Sequence, residues 1–279
     1  MTADMHTHTS YSPDASSSPE EMCRRAAELG LKALAVTDHC DCNLWLPLDE
    51  LGREVTVDKE MYGSRDYAQA SITRIAELKE RYPFLLCGTE LGQPLQNRTA
   101  AETILSRPEL DFVIGSHHMN ADRDDFYWLD YRKMELAEIY SLMDDCFAET
   151  LEMCRQVSFD VLGHLTYPLR YITGECGIVL DMKRYDEVIR AIFRTLAENG
   201  RGIEINTSGL RQRFGRTLPD LEYVRLYREC GGEIITVGSD AHKAADLGAG
   251  IDDGEQLAQE AGFKYIAVYR GRKPQFEKL

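Results

Sequence analysis

Apolar and polar positions along this chain switch repeatedly between two periods. Short apolar runs with β-branched residues alternate with longer stretches in which apolar residues recur at helical spacing. After a short start around Met5, the segment SSPEEMCRRAAELG predicts a helix: Ser18 stands at the N-cap, Pro19 at the first helical position, Glu21 completes a capping box and Gly30 stops it. LKALAVT then reads as a buried parallel strand ending in Asp38-His39. A long polar segment from Cys40 to about Arg65 precedes a helix from about Asp66 to Tyr82 and the strand FLLCGTE, which ends in Glu90.

The alternation continues to the end of the chain. A helical segment near Thr99–Ser106 leads to DFVIGS and His117-His118, and a longer acidic helix over Lys133–Gln156 leads to FDVLGH and His164. Helix Lys183–Asn199 precedes the strand GIEIN, and helix Asp220–Cys230, stopped by Gly231-Gly232, precedes EIITVGSDAH with Asp240 and His242. Glu255–Gly262 and KYIAVYR read as one more helix and strand. Strands and helices in this order imply βαβ units, a parallel sheet and, with seven or so units, a closed α/β barrel. No linker, low-complexity tract or repeat divides residues 1–279, so a single domain is expected.

Composition narrows the functions. A formal net charge of −15 argues against a nucleic-acid partner, because phosphate backbones are bound by excess lysine and arginine. The polar N-terminal stretch and the absence of a long apolar run lead to the expectation of a cytoplasmic protein without a membrane partner. Eight cysteines without CxxC spacing read as reduced thiols; Cys40 and Cys42 flank a candidate site as buried thiols rather than committed ligands.

The chemistry begins at MHTHTSYSPDA. Residues two apart on a strand share a face, so His6 and His8 present both imidazoles to one place, and the following turn can return Asp14 over it. One metal could take all three, or two neighbouring metals could share them. Every one of the seven histidines falls at or just beyond the C-terminal end of a predicted strand, where the βα loops of a barrel carry catalytic groups. The pooled candidates are His6, His8, Asp14, His39, Glu90, His118, His164, Asp240 and His242, with His117 competing with its neighbour. That many nitrogen and oxygen donors suit two or three divalent metal ions, and imidazole with carboxylate fits Zn, Mn or Fe. Paired metals generate hydroxide from a bridging water and clamp phosphoryl oxygens, so hydrolysis of a phosphate ester is the leading reaction class.

The ordered set HTH at 6–8, TDH at 37–39, Glu90, GSHH at 115–118, GH at 163–164 and GSDAH at 238–242 resembles the PHP (polymerase and histidinol phosphatase) family. EINTSGLR at 204–211 and SYSPDA at 10–15 make the chain most similar to its histidinol-phosphate phosphatase branch. The resemblance implies a distorted (β/α)7, TIM-like barrel around a trinuclear centre. It implies one metal on His6, His8, Glu90 and Asp240, a second on Glu90, His118 and His164, and a third on Asp14, His39 and His242. The family's GS-x-H pattern places the ligand at His118 rather than His117. The implied reaction is metal-dependent hydrolysis of a small-molecule phosphate ester, L-histidinol phosphate first.

Other groups must position the substrate. Arg211 and Arg170 offer the forked donors that phosphate oxygens suit, Asn206 and Ser208 offer hydrogen bonds, and Asp41 could hold a substrate amine or protonate the leaving alkoxide. The chain departs from many histidinol phosphatases after GHL, where Thr166-Tyr167 stands in place of an acidic residue, and its loop 40–66 is its own. Both bear on the substrate, so another ester (phosphotyrosine protein, nucleotide or sugar phosphate) is the alternative, ahead of nuclease-type phosphodiester chemistry or a non-catalytic metal-binding module.

Overall fold

The structure, a computed structural model, describes residues 2–45, 67–121 and 123–279. Of the polar segment read over 40–65, only the start lies within these, as a short strand and a 3-10 turn over Cys42–Trp45; the rest of that reading lies outside the described residues.

Strands β1 (Ala3–Thr7), β2 (Ala33–Val36), β4 (Leu85–Gly92), β5 (Phe112–Ser116), β6 (Val161–Leu162), β7 (Gly202–Asn206) and β8 (Ile235–Gly238) form one parallel sheet in chain order. The added strand β3 (His39–Asp41) pairs alongside β4. The sheet curls until its edges meet: Asp240 N donates to His6 O at 2.8 Å and His8 N to Ala241 O at 2.9 Å. The expected seven-stranded, nearly closed barrel is therefore present among the described residues.

Helices α1 (Pro19–Leu29), α2 (Tyr67–Lys79), α3 (Arg98–Leu105), α4 (Leu136–Gln156), α5 (Asp186–Glu198), α6 (Leu221–Glu229) and α7 (Ile251–Glu260) cover its outside. The predicted capping box of α1 forms, with Ser18 accepting from Glu21 N and Gly30 in the left-handed region. Outward residues such as Val36, Cys87, Val113, Ile203, Ile205 and Val237 join the helix layer in one large apolar core. Predicted α4 starts a turn late, because Tyr131–Lys133 forms a separate 3-10 turn, and only two residues of FDVLGH keep ladder geometry.

KYIAVYR forms the expected strand, but outside the barrel sheet: β9 (Tyr265–Arg270) pairs antiparallel with β10 (Lys273–Lys278) in a separate two-stranded sheet. Gly271 and Arg272 both have positive φ, 54° and 63°, which suits the tight turn between two right-twisted strands. That turn seats under the N-terminal ends of β5 and β6. Gly271 N donates to Asp111 Oδ1 at 3.0 Å, and Arg272 Nε to Asp160 Oδ2 at 2.6 Å. Ala267, Val268 and Tyr269 complete an inner core with Met5, Leu86, Phe112, Ile114 and Val161, so the bottom of the barrel is plugged by apolar packing.

Asp160 also accepts from buried Val113 N at 2.7 Å. Asp160→Ala leaves that amide unsatisfied and frees Arg272, so it should destabilise the fold by about 1–3 kcal/mol, read as a lower urea midpoint. An unshifted midpoint would show that the hairpin contributes nothing to closing the barrel.

Candidate metal centre

The site lies at the opposite end, where the C-terminal ends of the strands converge, and a bulge sets it up. Ala3 and Asp4 pair with Ala33 and Leu34, but Thr7 pairs with Val36, so one extra residue sits in β1 between them. The slip lets Met5 point into the lower core while His6 and His8 point inward above it. The shared face expected for the two histidines forms, their Nε2 atoms 3.0 Å apart.

Glu90 stands at the centre, 1% exposed. Its Oε2 lies 3.4 Å from His6 Nε2, 3.4 Å from His8 Nε2 and 2.9 Å from His39 Nδ1. Its Oε1 lies 3.0 Å from His118 Nε2 and 2.8 Å from His164 Nε2. Asp240 Oδ1 approaches His8 Nε2 at 3.4 Å and His6 Nε2 at 3.7 Å. Asp14 Oδ2 reaches His242 Nε2 at 3.2 Å and His39 Nε2 at 3.5 Å. Asp14 is 37% exposed and His242 29%, so this corner opens to solvent while Glu90 stays sealed.

All nine pooled residues thus meet in one place, and the donor set fits divalent cations. His6–His8–Glu90, His39–Glu90–His118 and His8–His39–His242 each gather their ligand atoms within 4.8 Å. Glu90 Oε2 and His39 Nδ1 are buried without a hydrogen-bond partner, though they face each other. Burial opposes ionisation of Glu90, but His6, His118 and His39 outweigh it and hold the carboxyl well below its usual range. Burial likewise opposes charge on His118, yet Glu90 and Asp41 push its pKa up to about 10. His8, buried and facing His242 and His39, falls to about 3 and stays neutral. A pocket that keeps its carboxylates ionised and draws protons onto several of its imidazoles has the charge demand a cation satisfies.

The second nitrogen of most of these rings is also fixed. His8 Nδ1 meets Ser12 Oγ at 3.0 Å, and that hydroxyl donates to buried Asp38 at 2.7 Å. His242 Nδ1 lies 3.0 Å from Asp240 O, and His118 Nδ1 lies 3.1 Å from Asp41 Oδ1. Such partners set the tautomer that leaves the other nitrogen free for a metal. Asp41, expected at the substrate, therefore spends one oxygen on His118 and on Gln93 Nε2, 3.2 Å away.

His117 is turned elsewhere. Asn120 Nδ2 donates to Leu142 O at 3.0 Å, which leaves Asn120 Oδ1 to accept from His117 Nε2 at 2.9 Å. Burial lowers the His117 pKa to about 4, and the ring lines an outer cavity of about 420 Å³ with Leu95 and Met153.

The two arginines sit differently. Arg211 is exposed and holds the loop after β8, donating to Ser239 O at 2.8 Å and Asp240 O at 3.4 Å. Arg170 lies against the centre: Nη2 donates to Ser208 Oγ at 2.5 Å and to Asp240 Oδ2 at 3.3 Å, and its buried Nε has no partner. Asn206 Nδ2 and Ser208 Oγ meet the same Asp240 oxygen at 3.3 and 3.2 Å. Arg170 stacks 5.0 Å above the Tyr167 ring, which belongs to an aromatic rim with Tyr171 and Tyr127.

Three residues were not anticipated. Glu204, on β7, meets His6 Nδ1 at 2.6 Å; Ser116 Oγ donates to Glu90 Oε1 at 2.7 Å. Asp125 accepts from Tyr167 OH at 3.2 Å, and burial raises its pKa to about 6. A glutamate in the middle of an otherwise apolar strand was the available signal for Glu204; nothing in DRDDFYW singled out Asp125.

Comparison with known proteins gives the family and the fold. The PHP domain profile matches residues 4–208. A Thermotoga maritima protein named "Probable histidinol-phosphatase" is 27% identical over 95% of this chain and 94% of its own. The histidinol-phosphatase of Lactococcus lactis is 25% identical over 97% of this chain and 95% of its own. The crystal structure of histidinol phosphate phosphatase from Lactococcus lactis, complexed with zinc, L-histidinol and phosphate, superposes with a TM-score of 0.77 at 22% identity, covering 98% of both chains. That likeness shows the fold.

His118→Ala should lower the metal content of the purified protein, whereas His117→Ala should retain the wild-type content, both read by elemental analysis. The reverse outcome would overturn the orientation assigned to this pair.

Proposed function

This chain belongs to the PHP domain family, and on that premise we propose that it is a metal-dependent phosphomonoesterase for a small-molecule ester, L-histidinol phosphate being the first candidate. The observation that carries the reading is the double use of Glu90, whose two oxygens face separate imidazole groups in a sealed site. His6, His8, Glu90 and Asp240 would hold one cation, Glu90, His118 and His164 a second, and Asp14, His39 and His242 a third. Zn, Mn and Fe all suit these donors. Such ions, when bound, polarise phosphoryl oxygens and lower the pKa of water.

The chain's own residues supply the rest. Arg170, its Nη2 anchored on Ser208 and Asp240 beside the centre, has guanidinium donors that would bind a phosphoryl oxygen there. The rim of Tyr127, Tyr167 and Tyr171 suits a small planar ring carried by the ester. Asp125 holds its proton more tightly than an ordinary carboxyl and sits one side chain from His118, through Tyr167, which suits it to protonate the leaving alkoxide. Asp41, tied to His118, is the second carboxyl in reach.

Steady-state hydrolysis tests these assignments together. L-Histidinol phosphate should be turned over with kcat/KM of about 10⁴ M⁻¹s⁻¹ or more, well above phosphotyrosine, nucleotide and sugar phosphates. Turnover of another ester in that panel instead would keep the phosphatase and replace the substrate. Arg170→Ala should raise KM about tenfold or more, the loss of a charged hydrogen bond, while Arg211→Ala should disturb metal content as well. Asp125→Asn should slow alkyl esters about 100-fold and spare p-nitrophenyl phosphate, whose leaving group needs no proton. Equal slowing of both would remove Asp125 from proton transfer, and the same selectivity in Asp41→Asn would transfer the role.

A further inference from the structure

We propose that Glu204 is a positioning residue that presets two metal subsites at once, an inference that rests on the metal-centre reading above. Its carboxylate is 1% exposed and touches none of the pooled donor atoms that face Glu90. Instead it works from behind. Oε1 accepts from His6 Nδ1 at 2.6 Å, so Nδ1 keeps its proton and Nε2 is the nitrogen turned toward Glu90 and Asp240, the one that would serve a metal. Oε2 accepts from the backbone N of His164 at 2.9 Å and from Asn206 Nδ2 at 3.3 Å. One carboxylate therefore orients a ligand from β1 and locks the strand end that carries a ligand after β6, with Asn206 passing the constraint on to Asp240 Oδ2.

Steric evidence points the same way. A Cβ on Gly238 would lie 2.6 Å from Glu204 Oε1 and 2.4 Å from His6 Cβ. The glycine that opens GSDAH is thus the space in which the Glu204–His6 pair sits; its φ is not positive, so conformational freedom is not what it supplies. Three donors converge on the two oxygens, and a carboxylate is the side chain of this size that can accept at both ends.

Glu204→Gln separates this role from simple packing. The amide has nearly the same shape but one acceptor oxygen, so either His6 or His164 loses its partner and faces an NH2 group. The variant should bind Zn²⁺ 10- to 100-fold more weakly in chelator competition, the loss typical of removing a ligand's orienting partner, while the metal-free protein stays folded by circular dichroism. Zinc affinity within about twofold of wild type, with the fold intact, would overturn the proposal. ¹⁵N NMR of the zinc-loaded wild type gives an answer that needs no variant to fold: His6 should carry its proton on Nδ1, and a proton on Nε2 would equally overturn it. Neither readout involves turnover, so failure of the phosphatase assignment would leave both results as they stand.

Discussion

The structure depends on keeping one ionised carboxylate, Glu90, at the centre of a barrel mouth from which solvent is excluded. An isolated buried carboxylate costs several kcal/mol even after relaxation, and pairing offsets this only when both oxygens are well surrounded. Here five imidazoles surround it, drawn from the end of β1, the start of β3, and the loops just past β5 and β6. No single loop could deliver them. The parallel barrel does so because it brings every strand end to the same rim, and the bulge in β1 adjusts the one strand whose plain alternation would have aimed Met5 and His6 to opposite sides.

Around this centre the side chains divide into those that face Glu90 and those that hold the first set still. Ser12 with Asp38, Asp41, Glu204 and the Asp240 carbonyl each fix a ring nitrogen that does not face Glu90. Arg170, Asn206 and Ser208 hold the second oxygen of Asp240. Among the described residues the buried polar network is nearly complete, and two of its few unpartnered atoms, Glu90 Oε2 and His39 Nδ1, lie at the centre itself.

The sequence made the architecture and the inner donors readable for one reason: strand, helix and chemistry use different periods. Apolar runs marked the strands, and histidines at their ends marked the face; all nine donors proved to be neighbours. The features that the sequence left undecided share a cause as well. KYIAVYR is an apolar run like the others, and only the Gly271-Arg272 turn and the following Lys273–Lys278 strand distinguish a hairpin from a barrel unit. Arg211 and Arg170 are equivalent as text, since each follows a strand end. The helical turn over Arg170–Glu175 and the stack on Tyr167 decide which reaches the centre. Glu204 was visible as a charge inside GIEIN, but its partner lies 198 residues away, across the closing seam of the barrel.

The two ends of the barrel can then be understood as answers to one problem. The mouth concentrates imidazoles and carboxylates, with His8 and His39 stacked at 4.2 Å and His8 and His242 at 4.2 Å, an arrangement that repels itself whenever more than one ring is protonated. The bottom compensates with apolar closure: β9 fills the inner core, and Asp111 and Asp160 tie its turn to the strand starts. Asp111 and Asp160 resemble the site residues in type, yet they face backbone amides and an arginine instead of one another, so their burial is satisfied without any ligand. That contrast separates chemistry from scaffold in this chain. A buried acid whose partners are backbone amides or a guanidinium stabilises the fold by itself, whereas one ringed by five imidazoles, as Glu90 is, has the surroundings that a cation site requires.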